Sequence, residues 1–300
     1  MKNTKFGIEI EFTGITRARA AKVVADYTGG FVVHDGGSYD TYRAILPDGR
    51  AYKFVSDASI KPRKKENGVI VVAGNEYKVE LVSPILTYEG DIETLQEIVR
   101  KLRKAGAFEG DTCGIHIHLD GSNHTVRSIR NFVNIIYSKN DLLYKALQIK
   151  TDRMRYCKAL DERLVKKFNR NKPRTMAQVA DLWYEGYYES RSTHYHDSRY
   201  HFLNLHSFFQ GHHTVELRGF NSTFHAGKIR AYIVLALALN QQALTQTKAS
   251  TKKPQVENEK FAMRTYLNRI GLIGDEYKNC REHLTAHLEG SAAWRFGNAA

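Results

Sequence analysis

The chain has 300 residues, of which 42% are hydrophobic, and its formal net charge at pH 7 is +13. This composition supports a sizeable core and excludes wholesale disorder. No apolar run approaches the roughly 20 residues that cross a bilayer, so we expect a cytoplasmic protein without a membrane partner. The 3 cysteines lack the spacing of a zinc site or a disulfide framework, and the positive charge favours polyanionic ligands.

The first predicted element is a strand with the sequence KFGIEIEF. Side chains alternate between the two faces of a strand, so Ile8, Ile10 and Phe12 share one face. Glu9 and Glu11 share the other face. Two ionised carboxylates about 7 Å apart repel each other by about 2 kcal/mol at an effective dielectric constant near 20. Either this face is wet, or a cation lies between the two carboxylates.

A helix follows, capped by Thr16 and stopped by Gly29. The next part of the chain has a β pattern. Strands are predicted over residues 31–33, 39–45, 51–55, 69–73 and 76–82. Gly74 and Asn75, between the last two strands, are a strong two-residue hairpin signal. The basic run 61–65, with the Asn-Gly pair that follows it, is predicted to be an exposed loop.

The second half of the chain is mainly helical in pattern. The expected elements are a helix over 89–104, a strand over 113–119, a helix from 126, a mostly helical segment over 141–188 broken near 169–173, a hairpin of strands 200–207 and 214–220 around Gln210 and Gly211, a helix over 226–245, a linker over 248–259 and a helical end. Strand clusters separated by amphipathic helices predict an α+β fold. We expect a catalytic domain over 1–247 and a helical C-terminal appendage over 248–300.

Three further strands repeat the alternation of the first one. In GIHIHLD, His116 and His118 lie opposite the aliphatic residues, and in VELR, Glu216 and Arg218 do so. In KVELVSP the polar residue is Glu80. Each of these strands alone is more often a solvated sheet face. Together they predict one surface on which carboxylates, imidazoles and an arginine converge with the two glutamates of the first strand.

This combination of residues indicates phosphoryl-transfer chemistry. Carboxylates with one or two imidazoles suit Mg²⁺ or Mn²⁺, because the ligand set is mostly hard oxygen. An arginine beside them can grip a phosphate bidentately. Metal, phosphate and arginine are the parts that phosphoryl transfer uses. The chain has neither a GxxxxGK[ST] nor a GxGxxG motif, so a P-loop or Rossmann site is excluded.

The segments FGIEIEF, VELVSP, CGIHIH and TVELR, in this order, resemble the amidoligase family. That family belongs to the superfamily of glutamine synthetase and γ-glutamylcysteine ligase, and the resemblance covers residues 6–239. It implies a curved, mostly antiparallel β-sheet funnel backed by helices, with ATP and Mg²⁺ (or Mn²⁺) bound in it. The implied activity is an ATP-dependent carboxylate–amine ligase that forms an amide or peptide bond through an acyl phosphate. Its partners would be ATP, a carboxylate substrate and an amine substrate.

The resemblance implies metal-binding roles for five residues. Glu9, His116 and Glu216 would hold the metal on the ATP phosphates. Glu11 and Glu80 would hold another metal. Through these metals Glu9 and Glu11 would take part in catalysis. The chain lacks the second carboxylate that glutamine synthetase places shortly after its equivalent of Glu80, which puts the full metal set of that enzyme in question.

Five further residues would serve the nucleotide and the substrates. His118 falls where the superfamily contacts nucleotide. Arg218 falls where an arginine meets the transferring phosphate or the substrate carboxylate, and it is the predicted catalytic arginine. Arg199 would assist in cofactor binding. Asp57 and Asn204 would line the substrate side.

Two other functions are compatible with the same residues. A metal-dependent hydrolase could use His116 and His118 with the carboxylates around an open metal position. A basic nucleic-acid-binding protein would explain the net charge, but it would leave the carboxylates without a role, since they repel phosphates when no metal is present. The sequence does not identify the substrates: small metabolites, a protein used as a peptide tag and a cell-wall peptide all fit.

Overall fold

The computed structural model describes residues 1–210 and 212–295, and there antiparallel strands mix with helices. The strands are β1 (Lys5–Phe12), β2 (Phe31–Gly36), β3 (Thr41–Ile45), β4 (Ala51–Val55), β5 (Arg63–Glu66), β6 (Val69–Val72), β7 (Val79–Val82), β8 (Leu86–Thr87), β9 (Gly114–Asp120), β10 (Leu203–Asn204) and β11 (Thr214–Asn221). The helices are α1 (Arg17–Thr28), α2 (Tyr88–Lys104), α3 (Val126–Leu147), α4 (Glu162–Asn171), α5 (Met176–Tyr184), α6 (His206–Phe209), α7 (Ala226–Thr245), α8 (Glu259–Arg269) and α9 (Lys278–Thr285). The predicted α+β class is confirmed.

Strand β1 lies in the middle of an open sheet of 9 strands. The strand order is β10-β11-β9-β1-β7-β4-β3-β2, and the short β8 pairs with the beginning of β1. The neighbouring strands pair in antiparallel fashion. The four strands with alternating polar residues, β11, β9, β1 and β7, are therefore adjacent. Their adjacency brings the polar residues of all four strands onto a shared face.

The other face of these strands belongs to the main hydrophobic core. Ile8, Ile10 and Phe12 are no more than 1% exposed. Helix α7 packs on β9 and against α2 and α3, and α1 packs on β3 and β4. Burying a large apolar side chain contributes about 1.5–3 kcal/mol, so a one-residue shift of β1 that buried its glutamates instead would be strongly disfavoured. The core thereby dictates which residues of β1 face the open side.

The predicted capping residues define the ends of α1. The Thr16 hydroxyl accepts a hydrogen bond from the backbone N–H of Arg19 at 3.2 Å. The helix ends where Gly29 takes the left-handed conformation, with φ of 72°. Ala20 and Val24 of this helix are fully buried. The apolar stripe of α1 therefore packs against the sheet, as the sequence spacing predicts.

The predicted hairpin around Gly74 and Asn75 is wrong. Gly74 is extended, with φ of −72°, and Asn75 begins a short 3₁₀ turn. The hairpin instead joins β5 and β6, where Asn67 (φ 49°) and Gly68 (φ 83°) both take the left-handed conformation that a type I′ turn requires. The basic run predicted to be a loop is thus partly strand, in a separate two-stranded sheet. Strand β7 pairs with β1 and β4.

The predicted hairpin of strands 200–207 and 214–220 is correct only in part. Strand β10 pairs with β11, but the chain then enters the short helix α6 instead of continuing as a strand to Ser207. Asn204 initiates this change of direction, because its side-chain oxygen accepts a hydrogen bond from the backbone N–H of His206 at 2.7 Å. The predicted turn includes Gly211, which lies outside the described residues.

The segment predicted to be mostly helical contains the end of α3 and the helices α4 and α5. Residues 148–161 between them form no α-helix and include the 3₁₀ turn Thr151–Arg153. This connection carries Arg153, one of the largest fully buried side chains of the protein. The prediction therefore missed the part of the segment that approaches the polar face of the sheet.

The C-terminal helices α8 and α9 are present as predicted. Helix α9 packs on α7, and Met263, Leu267 and Leu284 belong to the same hydrophobic core as the sheet. The division into a domain over 1–247 and an appendage over 248–300 stays a prediction. Within the described residues, we find no helix with the length and apolar character that crossing a membrane requires.

Candidate active site

The register of the strands places the polar residues of β1, β7, β9 and β11 side by side. Three pairs are direct cross-strand neighbours: Glu9 and His116, Glu11 and Glu80, and Glu216 and His118. Directly opposite side chains on one sheet face are about 4.5–5.5 Å apart at Cβ, close enough for charged ends to meet. The convergence predicted from four separate alternating strands is therefore present.

Glu9 is held by both histidines of β9. Its Oε2 lies 2.9 Å from Nδ1 of His116, and its Oε1 lies 3.1 Å from Nε2 of His118. Burial opposes the ionisation of Glu9, but the two imidazoles lower its pKa well below the ordinary value. The repulsion that the sequence predicts between Glu9 and Glu11 is thus offset on the Glu9 side by histidine.

Glu11 and Glu80 have fewer cationic neighbours than Glu9: Nε2 of His116 lies 3.6 Å from Oε1 of Glu11. Glu11 is 5% exposed and accepts a hydrogen bond from the backbone N–H of Gly114 at 2.7 Å. Glu80 makes no hydrogen bond or ion pair with any residue in the described part of the chain. Burial raises the pKa of both carboxyl groups, and the charges of Glu9, Glu11 and Asp57 raise that of Glu80 further. This part of the site has more acidic groups than the protein itself neutralises.

Glu216 has the charged partner that Glu80 lacks. It is 2% exposed and accepts hydrogen bonds from Nη1 of Arg218 and, at 2.6 Å, from Nδ2 of Asn204. Burial opposes its ionisation, but Arg218 and the histidines lower the pKa of Glu216 to about 2. Burial likewise opposes protonation of His118, but Glu9 and Glu216 raise its pKa to about 9. This part of the site is an internally neutralised cluster.

Three groups of side chains have potential ligand atoms that all lie within 4.8 Å of one another: Glu9, His118 and Glu216; Glu9, Glu80 and His116; and Glu11, Asp57 and Glu80. Carboxylate oxygens, alone or with one imidazole, match the ligands that Mg²⁺ and Mn²⁺ prefer. The residues therefore fit a metal. The fit is clearest for the third group, because all three of its members are carboxyl groups and Glu80 makes no ion pair among the described residues.

These groups differ in detail from the predicted ligand sets. Asp57, predicted on the substrate side, joins the group of Glu11 and Glu80. His118 rather than His116 joins Glu9 and Glu216, although Nδ1 of His116 also lies 3.8 Å from Glu216. The assignment of individual ligands to a metal stays a prediction.

Arg153 is a buried part of the site that the sequence analysis missed. The register of β11 against β9 shifts between Leu217 and Phe220, which marks a β-bulge. The guanidinium of Arg153, 1% exposed, donates to the carbonyl oxygens of Arg218 at 3.0 Å and of Phe220. A Cβ on Gly114 would lie 2.1 Å from this guanidinium, so only glycine leaves room for it. Because the partners of Arg153 are backbone atoms of a distant strand, no local sequence signal marks it.

Two adjoining cavities open over this face of the sheet, with volumes of about 830 Å³ and 310 Å³. Every site residue predicted from the sequence lines at least one of them: Glu9, Glu11, Asp57, Glu80, His116, His118, Arg199, Asn204, Glu216 and Arg218. Arg199 lies in the wall shared by both cavities, with its guanidinium 5.2 Å from the ring centre of Tyr195. Tyr195 was not predicted from the sequence.

Comparison with known proteins gives one clear result. A family model described as "putative amidoligase enzyme" matches residues 2–240. A search of curated proteins finds no match. The matched range includes all the strands of the main sheet and all the residues that line the two cavities.

Proposed function

We propose an ATP-dependent ligase function for this chain, which belongs to the amidoligase family. Family membership supports ligase activity in general. The observation that supports the use of Mg-ATP is the charge distribution of the cleft, where Glu80, without an ion pair in the described residues, faces Glu11, while Glu216 is paired with Arg218. A cation beside the first pair and a phosphate beside Arg218 would complement both parts.

In the proposed reaction, an oxygen of the substrate carboxylate attacks the γ-phosphorus of ATP. The bond from this phosphorus to the bridging oxygen breaks, and ADP leaves with the electron pair. The amine nitrogen then attacks the acyl carbon, the carbon–oxygen bond to phosphate breaks, and inorganic phosphate leaves. The nitrogen loses one proton, so the products are the amide, ADP and inorganic phosphate.

The side chains of the cleft have separate roles in this proposal. Glu9, Glu11 and Glu80 would hold Mg²⁺, together with one or both histidines of β9 and Glu216. When bound, the metal neutralises charge on the phosphates during transfer. Arg218 has its Nε buried without a hydrogen-bond partner in the described residues, and it is available to a phosphate or carboxylate oxygen. Electrostatic groups fixed in advance in this way are a large part of catalysis.

The proposal also includes the glutamine synthetase-like funnel. The open antiparallel sheet, with helices on its apolar face and the cavities on its polar face, supports this comparison. The proposal includes a cytoplasmic location, because the proposed reaction needs Mg-ATP, which is abundant there.

The experiment that tests the proposal is a screen for ADP release. The protein is incubated with Mg-ATP and pairs of carboxylates and amines, including amino acids and peptides. We expect release of ADP that depends on both substrates and on Mg²⁺, and that Glu9→Gln abolishes. Metal-dependent hydrolysis of a substrate without nucleotide would instead favour the hydrolase. The nucleic-acid-binding alternative would be favoured if the protein binds nucleic acid with a steep salt dependence and the double variant Glu9→Gln, Glu11→Gln still does so.

A further inference from the structure

A third cavity, of about 580 Å³, runs from the catalytic cleft along the β5–β6 hairpin. It shares Lys78 with the main cleft and Tyr156 with the side cavity. Its charged lining consists of Lys61, Arg63, Lys78 and Arg155, and none of the described residues that line it is acidic. We call it the cationic groove. The shared residues place the groove next to both cavities of the candidate active site.

The protein leaves most of this positive charge without a partner. In the described part of the chain, the side chains of Lys61 and Lys78 make no ion pair or hydrogen bond. The guanidinium of Arg155 packs only over the ring of Tyr156, 4.7 Å from its centre. Arg63 is the exception, since it lies 3.7 Å from exposed Asp111. A groove with several uncompensated cations attracts a polyanion.

The hairpin beside the groove adds exposed apolar groups to these charges. Ile70 is 49% exposed and Val72 is 83% exposed. Ile70 pairs with Lys65 and Val72 with Arg63, so basic and apolar side chains share one face of the hairpin. Val72 also lines the groove. A nucleic acid would gain little from aliphatic side chains, whereas a polypeptide that carries both acidic and apolar residues matches this surface.

We propose that the cationic groove binds an acidic polypeptide segment, and that a carboxylate of this segment is the acyl substrate of the ligase. The inference rests on the proposed function. Because Lys78 lines both the groove and the main cleft, an acidic side chain or carboxyl terminus bound near it enters the cavity that holds Glu80 and Arg218. There the carboxylate receives the γ-phosphoryl group of ATP, and the amine then displaces inorganic phosphate with loss of one proton.

Binding is tested with a fluorescent peptide in which glutamate and leucine alternate, measured by fluorescence anisotropy. The variant combines Lys61→Glu and Arg155→Glu, both at exposed positions. Lys252→Glu is the matched control, because Lys252 is also exposed but lies in the polar segment before α8. We expect the double variant to bind at least about tenfold more weakly and the control to bind as the wild type does. Val72→Asp should also weaken binding.

Equal affinity of the double variant and the wild type for the peptide would overturn the proposal. So would tighter binding of a single-stranded RNA of equal length that the same substitutions weaken, since the groove would then be a nucleic-acid site. Unchanged Mg-ATP binding by the double variant shows that the substitutions leave the cleft intact.

The chemical role is tested by trapping. Wild-type protein is incubated with Mg-ATP, the acidic peptide and hydroxylamine, which converts an acyl phosphate into a hydroxamate that mass spectrometry detects. We expect a peptidyl hydroxamate, formed far more slowly by the double variant. If small carboxylates cause ADP release and acidic peptides do not, the peptide inference fails while the ligase function stands. If the protein neither binds Mg-ATP nor releases ADP with any carboxylate, the proposed function itself fails.

Discussion

The two sides of the cleft hold buried carboxylates in opposite ways. On β11, Glu216 has its counter-charge in the same strand, because Arg218 donates to it and keeps its pKa low. On β7, Glu80 faces Glu11 across the sheet, has no cationic partner in the described chain, and has a raised pKa. The chain has thus neutralised one cluster from within, and we propose that a bound cation completes the other.

This difference separates a carboxylate whose charge the protein itself balances from one that we propose is balanced by a ligand. Removing one partner of a completed buried pair leaves an uncompensated charge. Removing a carboxylate that has no partner relieves repulsion instead. The same Glu→Gln substitution should therefore have opposite effects on stability on the two sides.

The largest effect is expected for Glu216→Gln, which leaves the guanidinium of Arg218 without its carboxylate. We expect the free energy of unfolding to fall by about 3–5 kcal/mol in the absence of metal. Glu80→Gln, measured by urea unfolding in the same buffer with a chelator, should be neutral or stabilising. If both variants lose the same free energy of unfolding, Glu216 and Glu80 do not differ in how the protein balances their charge.

The next largest effect is expected for Arg218→Lys. The lysine keeps a positive charge beside Glu216, so the protein should fold, but it cannot present the fork of donors that a phosphate oxygen needs. We expect the rate of ADP release to fall by about 10²–10³-fold. Circular dichroism checks the fold, and an unchanged turnover number would show that Arg218 has no role beyond neutralising Glu216.

A smaller effect is expected for Arg153→Met, because the substitution leaves the bulge carbonyls of Arg218 and Phe220 without their donor. The free energy of unfolding should fall by about 1–3 kcal/mol for each carbonyl that stays unsatisfied. The matched control is Arg155→Met, at an exposed position two residues along. If the two variants are equally stable in urea unfolding, Arg153 does not support the bulge.

The smallest effect is a difference in pH dependence. The raised pKa of Glu80 means that the folded, metal-free protein binds this proton more tightly than the unfolded chain, whose value is near 4.5. Stability should therefore fall as pH rises from about 4.5 towards the raised pKa. For Glu216 the sign is reversed: its contribution is present above about 4.5 and is lost as pH falls towards about 2.

The pH dependence is measured by urea unfolding of wild type and Glu80→Gln with a chelator present. The advantage of the variant should grow with pH over the range in which Glu80 of the wild type ionises. A constant difference across pH would indicate that Glu80 keeps one protonation state throughout, which is incompatible with a carboxyl group that awaits a cation.

The sequence could predict which strands carry the site residues, because the alternation of polar and apolar residues is visible within each strand. Alternation in β1, β9 and β11 is visible within seven or eight residues of each strand, and it identifies Glu9, His116 and Glu216 without any tertiary information. The prediction of a hairpin at Gly74 was wrong because a local signal alone cannot choose between two candidate turns. Two glycine–asparagine pairs compete in this region, and only the backbone conformation of Asn67 and Gly68 shows which one forms the turn.

The features that the sequence could not predict depend on contacts between distant residues. Arg153 reaches backbone atoms more than sixty positions away, and Tyr195 meets Arg199 in an irregular segment without periodicity. The cross-strand pairing of Glu11 with Glu80 also follows from strand order and register alone. A local sequence pattern cannot specify any of these three contacts.

The most direct test of the central claim is calorimetric titration of ATP with and without Mg²⁺. The variants are Glu80→Gln and, as an isosteric control at an exposed position nearby, Glu76→Gln. We predict that the wild type and the control bind ATP only when Mg²⁺ is present, and that Glu80→Gln weakens this binding by about 10–100-fold. Metal-independent ATP binding, or equal Mg-ATP affinity in Glu80→Gln and Glu76→Gln, would contradict a cation site at Glu80.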